Sequence, residues 1–161
     1  MGNTAVSEKD LQAFRQLEPT LLDVNTQLVA EGMTSRLLAQ GENSTFRVLC
    51  YAPCRGEDHG LHGHIEEEHS FFILHGVAEF STIGGKLPPL TKFQGIFLPK
   101  GCFYEFINPG PDSLVVLRCG ATAEKLDRST RLTPGGEPIP GRSKRHPHLN
   151  NVTFVDGGFL R

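Results

Sequence analysis

The hydrophobic positions of this chain fall into short runs that are separated by turn-forming residues. Between residues 33 and 120, the apolar runs are repeatedly interrupted by Gly and Pro. Short strands between such turns are typical of an all-β sandwich or barrel. The predicted strands are 46–51, 70–74, 77–83, 96–98, 104–107 and 114–117.

The two ends of the chain have a different pattern. Residues 8–17 predict a short helix, because Ser7 can cap its start and apolar residues recur at every third position. After about residue 121 the chain becomes polar, basic and rich in Pro and Gly. The pattern therefore divides the chain into an N-terminal helix and lead-in strand, a barrel and a C-terminal extension: 1–32, 33–120 and 121–161.

Composition narrows the classes of function. The 161 residues carry 16 Lys and Arg against 18 Asp and Glu, a near balance that argues against a nucleic-acid binder or a membrane-surface protein. No apolar run approaches the roughly 20 residues of a membrane span, and the N-terminus does not resemble a signal peptide. We therefore expect a cytoplasmic protein whose four cysteines are reduced thiols.

The strongest chemical signal is the pair His62-Gly-His64. In a strand, residues i and i+2 project from the same face, so both imidazoles point in one direction a few ångströms apart. This geometry suits two neighbouring ligands on one metal ion. Such a pair is common by itself, so its meaning depends on the residues that follow it.

The stretch 62–76 resembles the first motif of the cupin superfamily, which reads His-x-His, three or four residues, Glu, six residues, Gly. Downstream, the stretch 99–108 resembles the second motif, Pro-x-Gly, two residues, His, three residues, Asn. The resemblance covers roughly residues 33–120. It implies an all-β fold, the cupin double-stranded β-helix or jelly-roll barrel, with a metal ion in the barrel mouth.

Two positions depart from this pattern. The ligand position of the second motif holds Tyr104 instead of His. In the first motif, six residues separate His69 from Gly76, so the count back from the glycine places His69 at the Glu position. Three residues separate His64 from Glu68, so the count forward from the histidine places Glu68 there. Neighbouring strand residues face opposite sides, so only one of the two points at the metal. The polar pattern favours His69 as inward, because Glu66, Glu68 and Ser70 then face water together.

The resemblance and the strand pattern together give a candidate site. Tyr104 either binds a ferric ion as phenolate or faces the substrate as a proton donor. The predicted metal ligands are His62, His64, His69 and Tyr104. The predicted catalytic residues are Tyr104 and Glu68. The predicted substrate-binding residues are Arg47, Phe71, Cys102 and Phe106.

The resemblance implies a metal-dependent enzyme, and a neutral set of three histidines is similar to that of small non-haem iron dioxygenases. We expect one transition metal ion, iron rather than zinc, nickel or manganese, and a small dicarbonyl or phenolic substrate. The alternatives are a non-redox lyase, isomerase or cyclase, and a non-catalytic small-molecule-binding cupin. We expect a homodimer that binds a small molecule and neither nucleic acid nor membrane.

Overall fold

The structure, a computed structural model, describes residues 6–56, 60–122, 131–139 and 151–161. Within these ranges, helix α1 (Glu8–Phe14) precedes a series of strands. The strands are β1 (Thr26–Glu31), β2 (Met33–Gln40), β3 (Ser44–Tyr51), β4 (His62–His64), β5 (Glu68–His75), β6 (Val77–Thr82), β7 (Gly85–Lys86), β8 (Leu90–Thr91), β9 (Gly95–Leu98), β10 (Phe103–Ile107), β11 (Leu114–Ala121), β12 (Arg131–Leu132) and β13 (Thr153–Leu160).

Helix α1 begins where the sequence predicts and ends earlier. The Ser7 hydroxyl oxygen accepts a hydrogen bond from the backbone N–H of Asp10 at 3.2 Å, which satisfies one of the open donors of the first turn. The helix ends at Phe14 instead of residue 17, and none of its residues is buried. An isolated short helix is marginal in water, so without a packing partner its last predicted turn is not stabilised.

Two antiparallel sheets face each other and form the barrel. One has the strand order β2-β3-β11-β5-β9, and the other has the order β12-β4-β10-β6-β7, with β8 paired to β6. From β3 to β6 and from β8 to β12, strands that follow one another along the chain alternate between the sheets, as in a jelly roll. The all-β double-stranded barrel and the six predicted strands are confirmed.

The main core lies between the two sheets and contains a layer of aromatic side chains among aliphatic ones. On β5 the buried residues alternate with more exposed ones, which turns Phe71 and Ile73 inward. Phe80 and Phe106 come from the opposite sheet, and their rings stack with centroids 5.0 Å apart. Burying one such side chain contributes about 1.5–3 kcal/mol, so this aromatic layer fixes the distance between the sheets.

A second apolar cluster covers part of the outer face of the β3–β11–β5 sheet. Strands β1 and β13 pair with each other, and Val29 packs there against Val48, Cys50 and Val115. The end of the chain, predicted as an extension, thus contributes one strand of this cover. Phe72 faces outward and remains 49% exposed. The predicted division into three segments and the predicted homodimer stay predictions.

Candidate metal and proton-transfer site

His62 and Tyr104 lie side by side on neighbouring strands. Strand β4 pairs with β10 so that His62 is directly opposite Tyr104, and directly opposite residues share a face. Both side chains are buried, and their ring centroids are 4.8 Å apart. The second-motif tyrosine is therefore on the same interior face as the first-motif histidine.

A backbone carbonyl orients His62. The Nδ1 atom of His62 lies 2.9 Å from the carbonyl oxygen of Gly60, which can only accept, so Nδ1 carries the proton and donates. The lone pair of the neutral ring then resides on Nε2. This arrangement, in which a carbonyl holds one nitrogen and leaves the other basic, is common in metal-binding histidines.

His64, Glu67 and His69 form a buried cluster beside this pair. The Glu67 Oε2 atom lies 3.0 Å from His69 Nε2 and 3.8 Å from His64 Nδ1. One donor atom from each of the three residues can be chosen so that all lie within 4.8 Å of one another. Since ligand atoms lie about 2.0–2.2 Å from a transition metal, a small inward movement of these side chains would let the three donors share a single ion.

The ionisation of His64 also fits metal binding. Burial, aided by the electrostatic interactions with His69, His62 and Arg118 and opposed by Glu67, lowers the pKa of His64 from 6.5 to about 3. His64 is therefore neutral at pH 7, and its buried Nδ1 has no hydrogen-bond partner among the described residues. A neutral imidazole with an unused nitrogen is the form that binds metals.

Glu67 is a buried carboxylate held by several donors. Burial alone would raise its pKa, but the hydrogen bond from His69 and the electrostatic interactions with His69, Arg118 and His64 together lower the pKa to about 2. The Arg118 Nη2 atom donates to Glu67 Oε1 at 3.2 Å. Glu67 is thus ionised at neutral pH and carries the negative charge of the site.

Tyr104 is linked to Glu67 through His69. The Tyr104 hydroxyl lies 2.9 Å from His69 Nδ1, while His69 Nε2 faces the carboxylate of Glu67. A carboxylate accepts only, so Nε2 donates to it, and Nδ1 accepts from the phenol. The four groups form one hydrogen-bonded chain from Arg118 through Glu67 and His69 to Tyr104.

The structure brings Glu67 to the histidines, whereas Glu68 was the predicted catalytic carboxylate. Glu68 begins β5 on the opposite face from His69 and is only half-buried. Glu67 stands just before β5, two residues from His69, and its side chain is buried beside that histidine. The inward position of His69 agrees with the polar pattern, but the strand period does not extend to Glu67.

The four predicted substrate-binding residues occupy different environments. Phe71 and Phe106 are buried in the main core, where both rings contact Phe80. Cys102 is half-buried against the same core, and Arg47 is half-buried on β3. Arg118, which is not among the predicted site residues, bonds directly to Glu67. A substrate contact for the four predicted residues stays a prediction.

Gly120 leaves the space that the Glu67 carboxylate occupies. Gly120 lies on β11 directly opposite His69 on one side and Thr45 on the other. A Cβ atom at this glycine would stand 2.0 Å from Glu67 Oε1 and 2.9 Å from Thr45 Oγ1. Any larger residue would displace the carboxylate from its bonds to Arg118 and His69.

We therefore expect Gly120→Ala to destabilise the fold by about 1–3 kcal/mol, the usual cost of inserting atoms into a packed interior. Urea unfolding would measure the change. Gly84→Ala is a matched control, because its Cβ would meet only Thr82 Oγ1 at 3.6 Å. The control is expected to stay within about 0.5 kcal/mol of the parent protein. Equal free energies of unfolding for the two variants would contradict the assignment of Gly120.

Comparisons with known proteins establish the fold only. No family model and no curated protein matches the chain. A protein from Acidithiobacillus ferrooxidans, described provisionally as a sugar phosphate isomerase, superposes with a TM-score of 0.56 at 17% identity, covering 78% of this chain and 76% of that one.

In the described residues, no helix has the length and apolarity needed to cross a membrane.

Two further solved structures are similar. A Klebsiella pneumoniae protein with a double-stranded β-helix domain gives a TM-score of 0.52 at 15% identity, over 62% of this chain and 82% of its own. The cupin domain of Cnp3 from Schizosaccharomyces pombe gives 0.51 at 19% identity, over 56% of this chain and 64% of that chain.

Proposed function

We propose that this chain, which has the cupin fold, is a metal-dependent enzyme that acts on a small organic substrate. The observation that carries the proposal is the buried cluster of His64, Glu67 and His69 in the barrel interior, with the buried His62 next to His64. Buried imidazoles and carboxylates are costly unless they are paired or bind a ligand. A single metal ion accounts for their clustering.

The residues that would hold the ion are His62, His64 and His69, with Glu67 as a fourth donor. In the structure both nitrogens of His69 are hydrogen-bonded, to Glu67 and to Tyr104. Ligation by His69 therefore replaces one of these two hydrogen bonds. Imidazole nitrogen and carboxylate oxygen suit iron, zinc, nickel and manganese, and we propose iron.

The proposed reaction is oxidative cleavage of a dicarbonyl or phenolic substrate. Bound iron would supply Lewis acidity and the activation of molecular oxygen. Both oxygen atoms enter the cleaved product, so oxygen is the oxidant and no separate reductant is needed. Tyr104, next to His62, would contact the substrate and donate or accept its proton, and His69 Nδ1 would hold the phenol oxygen in position.

The same hydrogen-bonded chain favours a second candidate, a non-redox isomerase or lyase. A carboxylate that orients an imidazole against a hydroxyl is a general acid–base arrangement. Such a reaction would move a proton of the substrate through Tyr104 and His69 without oxygen. The two candidates share the site and differ in whether oxygen is consumed.

A cytoplasmic location, which we also propose, agrees with the state of the thiols. All four cysteines are free, and none forms a disulfide. Free cysteines are usual in reducing compartments.

Metal occupancy in two single variants tests the proposed centre. We expect His69→Ala to lose most of the bound metal and Glu68→Ala to keep it, because His69 points into the cluster and Glu68 points away from it. Elemental analysis after dialysis against a weak chelator would measure both. Retention of metal in the histidine variant together with loss in the glutamate variant would overturn the ligand assignment.

Oxygen dependence separates the two candidate reactions. The protein, loaded separately with iron, zinc, nickel or manganese, would be incubated with a panel of dicarbonyl, phenolic and hydroxy-acid compounds, with and without oxygen. A product that incorporates both atoms of labelled oxygen supports the dioxygenase. An isomerised or eliminated product formed without oxygen supports the second candidate, and no product with any of the four metals contradicts an enzymatic role.

A further inference from the structure

Two arginines lie next to each other on the interior face of the β3–β11–β5 sheet. Arg47 on β3 is directly opposite Arg118 on β11, and Arg118 is directly opposite Phe71 on β5. Directly opposite residues share a face, and the Phe71 side chain is completely buried in the main core. Both arginine side chains therefore leave the backbone on the face of the sheet that is turned toward the histidines.

The positive charge of this pair is only partly balanced. Arg118 donates to Glu67, whereas Arg47 has no hydrogen bond or ion pair among the described residues. Like charges directly opposite each other on neighbouring strands destabilise a sheet. One carboxylate thus faces two guanidinium groups, and a second anion would balance the pair.

Arg118 also has an unused donor. Its Nε atom is buried and has no hydrogen-bond partner among the described residues, although Nη2 bonds to Glu67. A guanidinium binds carboxylate and phosphate oxygens through parallel N–H groups, so a free Nε–H beside a second arginine provides such a set. The unsatisfied donor points to a ligand oxygen.

The pair is close to the proposed metal centre. His69 is directly opposite Gly120, which stands two residues along β11 from Arg118. Two strand residues span about 7 Å, the length of a small organic acid. A molecule held by its anionic end at the arginines would reach Tyr104 and the histidines with its other end.

We propose that the substrate of this site is a small organic anion, a carboxylic acid or a phosphate monoester, whose anionic oxygens are bound by Arg47 and Arg118. This inference rests on the proposed function for the identity of the ligand as a substrate. The binding of the anion itself depends only on the arginines. Metal-free protein should therefore bind the anion as well.

Nuclear magnetic resonance titration tests the proposal directly. Succinate and inorganic phosphate would be added separately to metal-free and to zinc-loaded protein at low salt, with neutral succinamide as a third probe. We expect the Arg118 Nε–H signal to shift in a saturable way with at least one of the two anions and not with the amide. Which anion binds more tightly distinguishes a carboxylate from a phosphate substrate.

The variants Arg47→Gln and Arg36→Gln provide a matched comparison. Both remove one positive charge from neighbouring strands, but Arg36 faces outward and bonds to the carbonyl of Asp23. We expect the dissociation constant to rise at least about tenfold in Arg47→Gln and to stay within about twofold in Arg36→Gln. Equal effects of the two variants, or no saturable shift in the parent protein, would overturn the anion site.

The test of anion binding does not depend on whether the protein binds a metal. Arginine-dependent anion binding in a protein that takes up no metal would keep the anion site and reject the metal-dependent reaction. Metal uptake without anion binding would do the reverse.

Discussion

Replacing both His62 and His64 with alanine is expected to reduce the metal content of the purified protein to background. The two imidazoles supply ligand atoms from one short strand, and the other candidate donors, Glu67 and His69, already bond to each other at 3.0 Å. Without the histidines of β4, the remaining pair offers too few donors for a stable transition metal site. Elemental analysis after reconstitution with iron, zinc or nickel would measure the loss.

His75→Ala is a suitable control for this experiment. His75 ends β5, and its register partner is Val115, far along the strand from His69. Metal content is expected to stay at the parent value in this variant. A double variant of His62 and His64 that keeps its metal would show that the cluster is not a metal centre.

Replacing Tyr104 with phenylalanine is expected to slow turnover by about 100- to 10,000-fold, the usual contribution of one general acid or base. The substitution removes only the hydroxyl that bonds to His69 Nδ1 and keeps the ring in the core. Steady-state rates on a substrate found in the oxygen-dependence screen would measure the effect. Little change in metal content is expected, because the phenol is bonded to His69.

The other tyrosine of the chain controls for packing. Tyr51 is equally buried, and its ring packs edge-on against Phe106 in the same core. Tyr51→Phe is expected to keep turnover within a few-fold of the parent protein. Unchanged turnover in Tyr104→Phe would assign Tyr104 to core packing. A change in metal content in that variant would instead support ligation by the phenolate.

The sequence predicts the barrel well because its strands carry strong apolar runs. Strands β3, β5 and β11 have inward residues at every second position, so their existence and facing follow from local pattern. Strand β12 is only two residues long, and β13 pairs with β1 across almost the whole length of the chain. Such pairings depend on distant contacts, which a local pattern does not contain.

The site is predictable where it lies on a strand and less so where it precedes one. His62, His64 and His69 alternate in phase with their strands, and the structure turns all three inward. Glu67 lies in the turn before β5, within a run of three glutamates that reads as a solvated surface. Its burial depends on the space above Gly120 and on the charge of Arg118, both of which come from β11.

The hydrogen-bonded chain from Arg118 to Tyr104 joins the two sheets of the barrel. Arg118 and His69 belong to one sheet, and Tyr104 belongs to the other. Any separation of the sheets at the mouth would stretch the contact between His69 Nδ1 and the phenol and interrupt proton transfer. Proton transfer between Tyr104 and His69 therefore requires the two sheets to keep their spacing at this contact, so the acid–base pair depends on the integrity of the whole barrel and not of one strand.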